Sequence, residues 1–280
     1  MAQPTAAGGS PVDGESRALT GGEVWAREQL ELLRAARFHP GATGRFLAAS
    51  WRRSATTRAA RPALARRAHA WLALGTAAWL VLAAAGVQPF RRRLSGGLAW
   101  WGSTSAMLDW HLGMFETEDG RPQQLGAADA LTLARAWLVP VVADSPTVLV
   151  CGLAAGADVL DGALARRAEP TRAGRDFEGL VDSCFVLASL RGLTRTGSLG
   201  QAAGLTEASR LVAGSGYATF AYFSRARAPE AQFVHAARSA TAVRCAGVLG
   251  AAAGRRRLGG ALLVSGSVCS VALTALAARR

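Results

Sequence analysis

The 280 residues are 50% hydrophobic and only 18% charged, with a mean hydropathy of +0.18. That much apolar surface excludes disorder along the whole chain, and four cysteines are too few for a disulfide scaffold. The 32 basic and 19 acidic residues give a net charge of +13, which suits nucleic acid or an anionic membrane surface, and the hydropathy decides for the membrane.

Every basic residue is Arg, and Lys, Asn and Ile are absent. All three have AT-rich codons, so the bias reads as the mark of a GC-rich bacterial genome rather than of function. Cys151, Cys184, Cys245 and Cys269 sit in apolar runs without C-x-x-C spacing and read as buried small hydrophobes. The four His are scattered and form no ligand pattern.

In chain order, residues 1–20 are small and polar and read as a disordered tail. Thr20 and Glu23 have capping-box spacing, which predicts a helix over 21–37 ending near His39-Pro40. Seven arginines follow in 41–68 (Arg45, Arg52, Arg53, Arg58, Arg61, Arg66, Arg67), and no acid occurs between Glu31 and Asp109. The segment 21–68 is therefore expected to form basic helices on the cytoplasmic, anionic face of a membrane, the alternative being a solvated linker. Ala70–Val87 carries no charge, and Leu94–Leu108 is a weaker apolar stretch ending in Asp109-Trp110-His111. Together, 69–126 is expected to be an extra membrane-associated hairpin.

Six further apolar stretches lie near 127–143, 147–165, 176–193, 205–223, 239–254 and 258–278. A helix needs about 20 apolar residues to cross a bilayer, so 70–87 and 258–278 are expected to qualify unaided. The others are shorter or carry ionisable groups, which are costly within a span and mark function. The expected fold is all-α: a polytopic membrane helix bundle with a six-helix core over 127–280 and N-terminal helices. The basic loops 166–175 and 224–238 fall on one side, the cytoplasmic one, two spans apart. Arg91–Arg93 and Arg255–Arg257 fall on the other side, against that rule, unless the first two stretches form a shallow hairpin.

The chemistry concentrates in two neighbouring helices. Asp158 and Asp161 are three residues apart, Glu178 and Asp182 four, so each pair shares a helix face. A short basic loop makes the helices antiparallel, and their four carboxylates can meet at the cytoplasmic edge. Hard divalent cations resolve the repulsion between such groups, and two ions about 3.5–4 Å apart suit displacement at phosphorus. Gly162 and Ala165 lack bulk and admit a ligand; Arg166 offers charge to phosphate. Helix-end acids paired with loop arginines would give the same pattern without chemistry.

The run D-x-x-D-G-x-x-A-R followed by G-x-x-x-E-x-x-x-D, read here as Asp158, Asp161, Gly162, Ala165, Arg166, Gly174, Glu178 and Asp182, resembles the signature of the CDP-alcohol phosphatidyltransferases. Upstream, Asp129, Thr132 and Arg135 look like the family's N-x-L-T-x-x-R segment, and the resemblance covers about 127–278. It differs from the family in Glu178 where Asp is usual, in Asp129 for Asn, and in a spacer before Gly174 one residue shorter. The resemblance implies transfer of a phosphatidyl group from CDP-diacylglycerol to a small alcohol with release of CMP. It assigns two Mg²⁺ or Mn²⁺ ions to Asp158, Asp161, Glu178 and Asp182, with Asp182 also the general base. Gly162, Ala165, Arg166 and Gly174 would pack around the CDP group, with Thr132 and Arg135 lining the same pocket. It also implies a homodimer in the cell membrane, with the active site on the cytoplasmic side. A family member that kept the site but only binds lipid or nucleotide is the alternative; a nucleic-acid binder rests on charge alone.

Five more residues stand out. Glu207 and Arg210 could pair with each other or hold an acceptor headgroup, and Arg244 could bind an acceptor phosphate or snorkel. Asp109 and His111 could form an acid/base pair or an interfacial contact.

Overall fold

A computed structural model describes residues 20–117, 119–165, 171–225, 236 and 238–277. The expected tail 1–19, the loop residues Arg166 and Arg167, most of 224–238 and the terminal Arg279-Arg280 lie outside them. Among the described residues the chain is all-α. The helices are α1 (Gly21–Ala35), α2 (Pro40–Ala60), α3 (Pro62–Ala84), α4 (Leu94–His111), α5 (Ala127–Asp144), α6 (Val148–Ala165), α7 (Arg172–Arg195), α8 (Gln201–Arg225), α9 (Thr241–Ala252) and α10 (Arg256–Ala277). One 3₁₀ turn (Leu112–Met114) and an isolated antiparallel bridge, Glu116 to Pro122, interrupt them.

The capping box is present at α1: the Glu23 amide donates to Thr20 Oγ1 at 3.2 Å and the Thr20 amide to Glu23 Oε2 at 2.9 Å. Pro40 opens α2 where its missing N–H costs nothing, and the Gly41 amide donates to His39 Nδ1 at 3.2 Å. The basic stretch 41–68 is not one segment. Pro62 cannot continue α2 and opens α3, which runs through position 68 to Ala84. Gly86, at φ 78°, adopts the left-handed conformation that closes α3.

Four of the seven arginines turn inward. Arg53 donates to the Gly113 carbonyl at 3.3 Å, Arg61 to those of Phe115 (2.9 Å) and Gln123, and Arg67 to that of Leu125 (2.8 Å). Arg58 binds the Asp109 carboxylate, which also accepts from Ser54. Arg53, Arg61 and Arg67 thus bind carbonyls of the irregular segment between α4 and α5, and Arg58 ties α2 to the last turn of α4. Asp109 thus faces arginine, and His111 faces the Met107 carbonyl at 2.7 Å, so the two do not form an acid/base pair with each other.

The hairpin α3–α4 lies along α5. Indole N–H groups join the three helices: Trp101 to the Leu72 carbonyl at 2.9 Å, Trp100 to that of Ala136 at 2.8 Å, and Trp137 to that of Gly75 at 2.9 Å. One core runs from Leu64, Leu72 and Trp101 through Leu112 and Phe115 to Leu133, Ala173, Phe177 and Val181, so the N-terminal helices share their interior with α5 and α7. At the far end of α5, Arg92, Arg93 (3.0 Å) and Arg195 (3.7 Å) converge on the Asp144 carboxylate, whose side chain is 1% exposed.

Helices α9 and α10 pack at glycine distance. A Cβ at Gly259 would lie 2.5 Å from the Ala251 amide nitrogen, and one at Gly247 2.8 Å from that of Leu263. Of the two stretches expected to span unaided, only one qualifies: Arg256–Leu276 of α10 is long and apolar enough to cross a membrane by length and composition, and shorter apolar helical segments are Val148–Asp158 and Thr241–Ala252. The stretch 70–87 falls short because α3 stops at Ala84, so a helical window of sufficient length takes in Arg67 and His69.

Candidate functional site

Three helix segments meet at one end of the bundle. The start of α5 is fixed by the Gly126 amide, which donates to Asp129 Oδ2 at 2.7 Å. Three residues on, Thr132 is buried, and Arg135 beyond it is buried with its guanidinium pointing toward α6 and α7. The start of α7 is capped by Thr171, whose Oγ1 accepts from the Gly174 amide at 3.0 Å. A Cβ on residue 174 would lie 2.8 Å from Thr171 Oγ1 and 3.2 Å from Asp129 Oδ1, so glycine there lets the first turn of α7 sit against the first turn of α5. Gly174, expected beside a nucleotide, is packed between these two helix starts.

With those ends set, Asp158 on α6 and Glu178 and Asp182 on α7 face one another. One carboxylate oxygen from each lies within 4.8 Å of the other two. The α7 pair is one turn apart, as its spacing predicts. Asp161, Gly162 and Ala165 belong to the last turns of α6, but their side chains, and all of Arg166, lie outside the described residues.

Arg135 enters this cluster from below. Its Nη1 donates to Asp158 Oδ1 at 2.9 Å and to Asp182 Oδ1 at 2.5 Å, and its Nη2 is 4.0 Å from Glu178 Oε1. Its side chain is 3% exposed, against 45%, 31% and 38% for the three acids in that order. The cluster is therefore closed on the protein side by a guanidinium and open on the other. Thr132 Oγ1 lies 3.5 Å from Arg135 Nη2 and props it from within α5. Sequence reasoning placed Arg135 beside a nucleotide and missed its pairing with the acids, for which the only signal was a lone arginine in an apolar stretch.

Beside the guanidinium, Asp158, Glu178 and Asp182 bring three carboxylate groups together at a partly exposed position. That is the donor chemistry of Mg²⁺ or Mn²⁺: hard oxygen ligands, and free positions for water or phosphate. The residues present fit such an ion.

A second polar cluster is buried between α8, α9 and α10. Glu207 accepts from Arg210 at 2.6 and 2.7 Å and from Ser267 at 2.7 Å, with Arg244 Nε at 3.4 Å. The alternative of an internal Glu207–Arg210 pair is thus realised. Arg244 is further held by Thr241 Oγ1 at 2.9 Å and the Ser239 carbonyl at 2.5 Å. Helix α9, which carries Arg244, packs against both α6 and α7, so the two clusters lie on adjoining helices. Sequence reasoning missed Ser267, and Gly266, where a Cβ would lie 2.7 Å from Arg244 Cγ.

Compared with known proteins, the chain matches no family model, no curated protein and no solved structure.

Proposed function

We propose that this protein is a polytopic membrane enzyme of the CDP-alcohol phosphatidyltransferase type, moving a phosphatidyl group from CDP-diacylglycerol to a small alcohol and releasing CMP. The observation that carries the reading is the convergence of Asp158, Glu178 and Asp182 within 4.8 Å, on the two helices whose sequence resembles that family's signature. The apolar length of α10 supports the membrane setting.

Asp158, Glu178 and Asp182, with Asp161 one turn along α6, hold the ions. When bound, two Mg²⁺ or Mn²⁺ ions would neutralise charge on the diphosphate and on the attacking oxygen. Asp182 takes the proton from the acceptor hydroxyl. That oxygen forms a bond to the lipid-bearing phosphorus, and the bond from that phosphorus to the CMP oxygen breaks. Arg135 fixes the carboxylates of Asp158 and Asp182 relative to each other, so the ligand set is organised before substrate arrives. Arg166 with Gly162 and Ala165 is assigned to the CDP group in this reading, and the guanidiniums of Arg210 and Arg244 to an acceptor that carries phosphate. The site faces the cytoplasm of a bacterial cell membrane, and the enzyme is a homodimer.

A second reading, a protein that binds CDP-lipid without turnover, is favoured by one observation: Arg135 already engages Oδ1 of the proposed base. Purified protein incubated with Mg²⁺, labelled CDP-diacylglycerol and a panel of polyol, polyol-phosphate and amino-alcohol acceptors separates the two. Metal-dependent CMP and a new phospholipid by mass spectrometry support the enzyme; metal and CDP binding with no CMP under any acceptor supports the second reading.

A further inference from the structure

We infer that the outward face of α2 is a docking surface for the anionic headgroup layer of a bilayer. The inference rests on the membrane reading of the bundle but not on its chemistry.

The inner face of α2 is employed: Ala42 and Ser54 are buried, and Arg53 donates to the Gly113 carbonyl beyond α4. Its outer face should then be polar if it met water. Instead Gly44, Leu47, Ala48, Trp51 and Ala55 are exposed at helical spacing, with Leu47 at 42% and Trp51 at 54%. Arg45 and Arg52, seven residues apart, run along one edge of this apolar stripe, and Arg66 follows on α3. All three are exposed and make no ion pair among the described residues. No acid is available from 32 to 108, and Asp109 is already bound by Arg58. Arg58 also covers one face of the Trp51 indole, at 5.4 Å from its centroid.

An apolar and aromatic stripe edged by unpaired arginines is complementary to one occupant, a layer with negative heads and apolar tails. Its place in the fold agrees. Through Asp109 in the last turn of α4, and Gly113 and Leu125 beyond it, α2 and α3 grip the approach to α5, so α2 sits at the end of the bundle where α5 and α7 begin.

The test uses the full chain and its Trp51→Phe variant in liposomes whose lipids are brominated near the carbonyl end of the acyl chains, with either phosphatidylglycerol or phosphatidylcholine heads. Tryptophan quenching should be larger in the wild type than in the variant, and larger with phosphatidylglycerol. Arg45→Gln and Arg52→Gln should each weaken that headgroup preference roughly five-fold, about 1 kcal/mol per arginine near an anionic surface. Equal quenching of wild type and Trp51→Phe would overturn the inference. So would Trp51 emission that stays open to aqueous acrylamide in both lipids, which would assign the face to water or to a protein partner. If lipid brominated at the chain ends quenches none of the tryptophans, the membrane reading fails and this inference fails with it.

Discussion

Asp182 carries the proposed proton transfer, and its neighbours determine how it can be tested. Asn at 182 keeps the shape and one acceptor oxygen but cannot take a proton. CMP release should fall about a hundred- to ten-thousand-fold, the worth of a positioned general base, with the protein still in the membrane fraction. Unchanged turnover would remove Asp182 from that role. Arg135→Gln makes a complementary test. It leaves three carboxylates facing one another without their guanidinium, so the variant should lose about 1–3 kcal/mol. That is less than the 3–5 typical of a broken buried pair, because the acids are partly exposed. Mg²⁺ should raise the melting temperature of the variant more than that of the wild type; equal shifts would mean that Arg135 does not compensate these acids. The acids themselves were legible in the sequence, because spacings of three and four fix a shared face on any helix. The partner of Arg135 was not, because which face of α5 meets α6 and α7 is decided by packing at Gly174 and Thr171, not by any pattern within α5.

Among the elements, the clamp at Asp144 accounts for two of the arginines that ran against the loop-charge rule, Arg92 and Arg93. Counting loop arginines treats each as a free charge, whereas Arg92, Arg93 and Arg195 are all drawn to one buried carboxylate at the end of α5. Asp144→Ala should leave three arginines without their shared partner and loosen the α3–α4 hairpin from α5. Because those arginines are about half exposed, the expected cost is about 1–3 kcal/mol, read as a lower melting temperature and faster hydrogen exchange in α3 and α4. The tight pair α9–α10 gives a sharper contrast. Gly259→Ala forces a methyl to 2.5 Å from backbone and should cost about 1–3 kcal/mol, whereas Gly260→Ala meets only the Ala203 methyl at 3.7 Å and should be near neutral. Equal effects at the two positions would contradict the close helix approach. Helix positions after residue 94 were legible from apolar length within a few residues. The break at Pro62 and the inward turn of Arg53, Arg61 and Arg67 were not, because carbonyls left open by an irregular segment cannot be foreseen from the helices that satisfy them.

At the level of the whole molecule, the N-terminal helices and the acid-bearing helices are one structure. Leu64, Leu112 and Phe115 share a core with Ala173, Phe177 and Val181 of α7, so a perturbation in the first half of the chain reaches the helix that carries Glu178 and Asp182. The all-helical class followed from composition and periodicity; this shared core did not, since it joins residues more than fifty positions apart. The central claim is that helices α6 and α7 aim their acids at common divalent ions. The most direct measurement is a Mn²⁺ titration of the purified full-length protein, followed by electron paramagnetic resonance, beside Asp158→Asn and Glu178→Gln variants. The account predicts loss of the free Mn²⁺ signal at up to two equivalents for the wild type, weakened at least ten-fold in affinity by either substitution. A wild-type titration indistinguishable from both variants would contradict it.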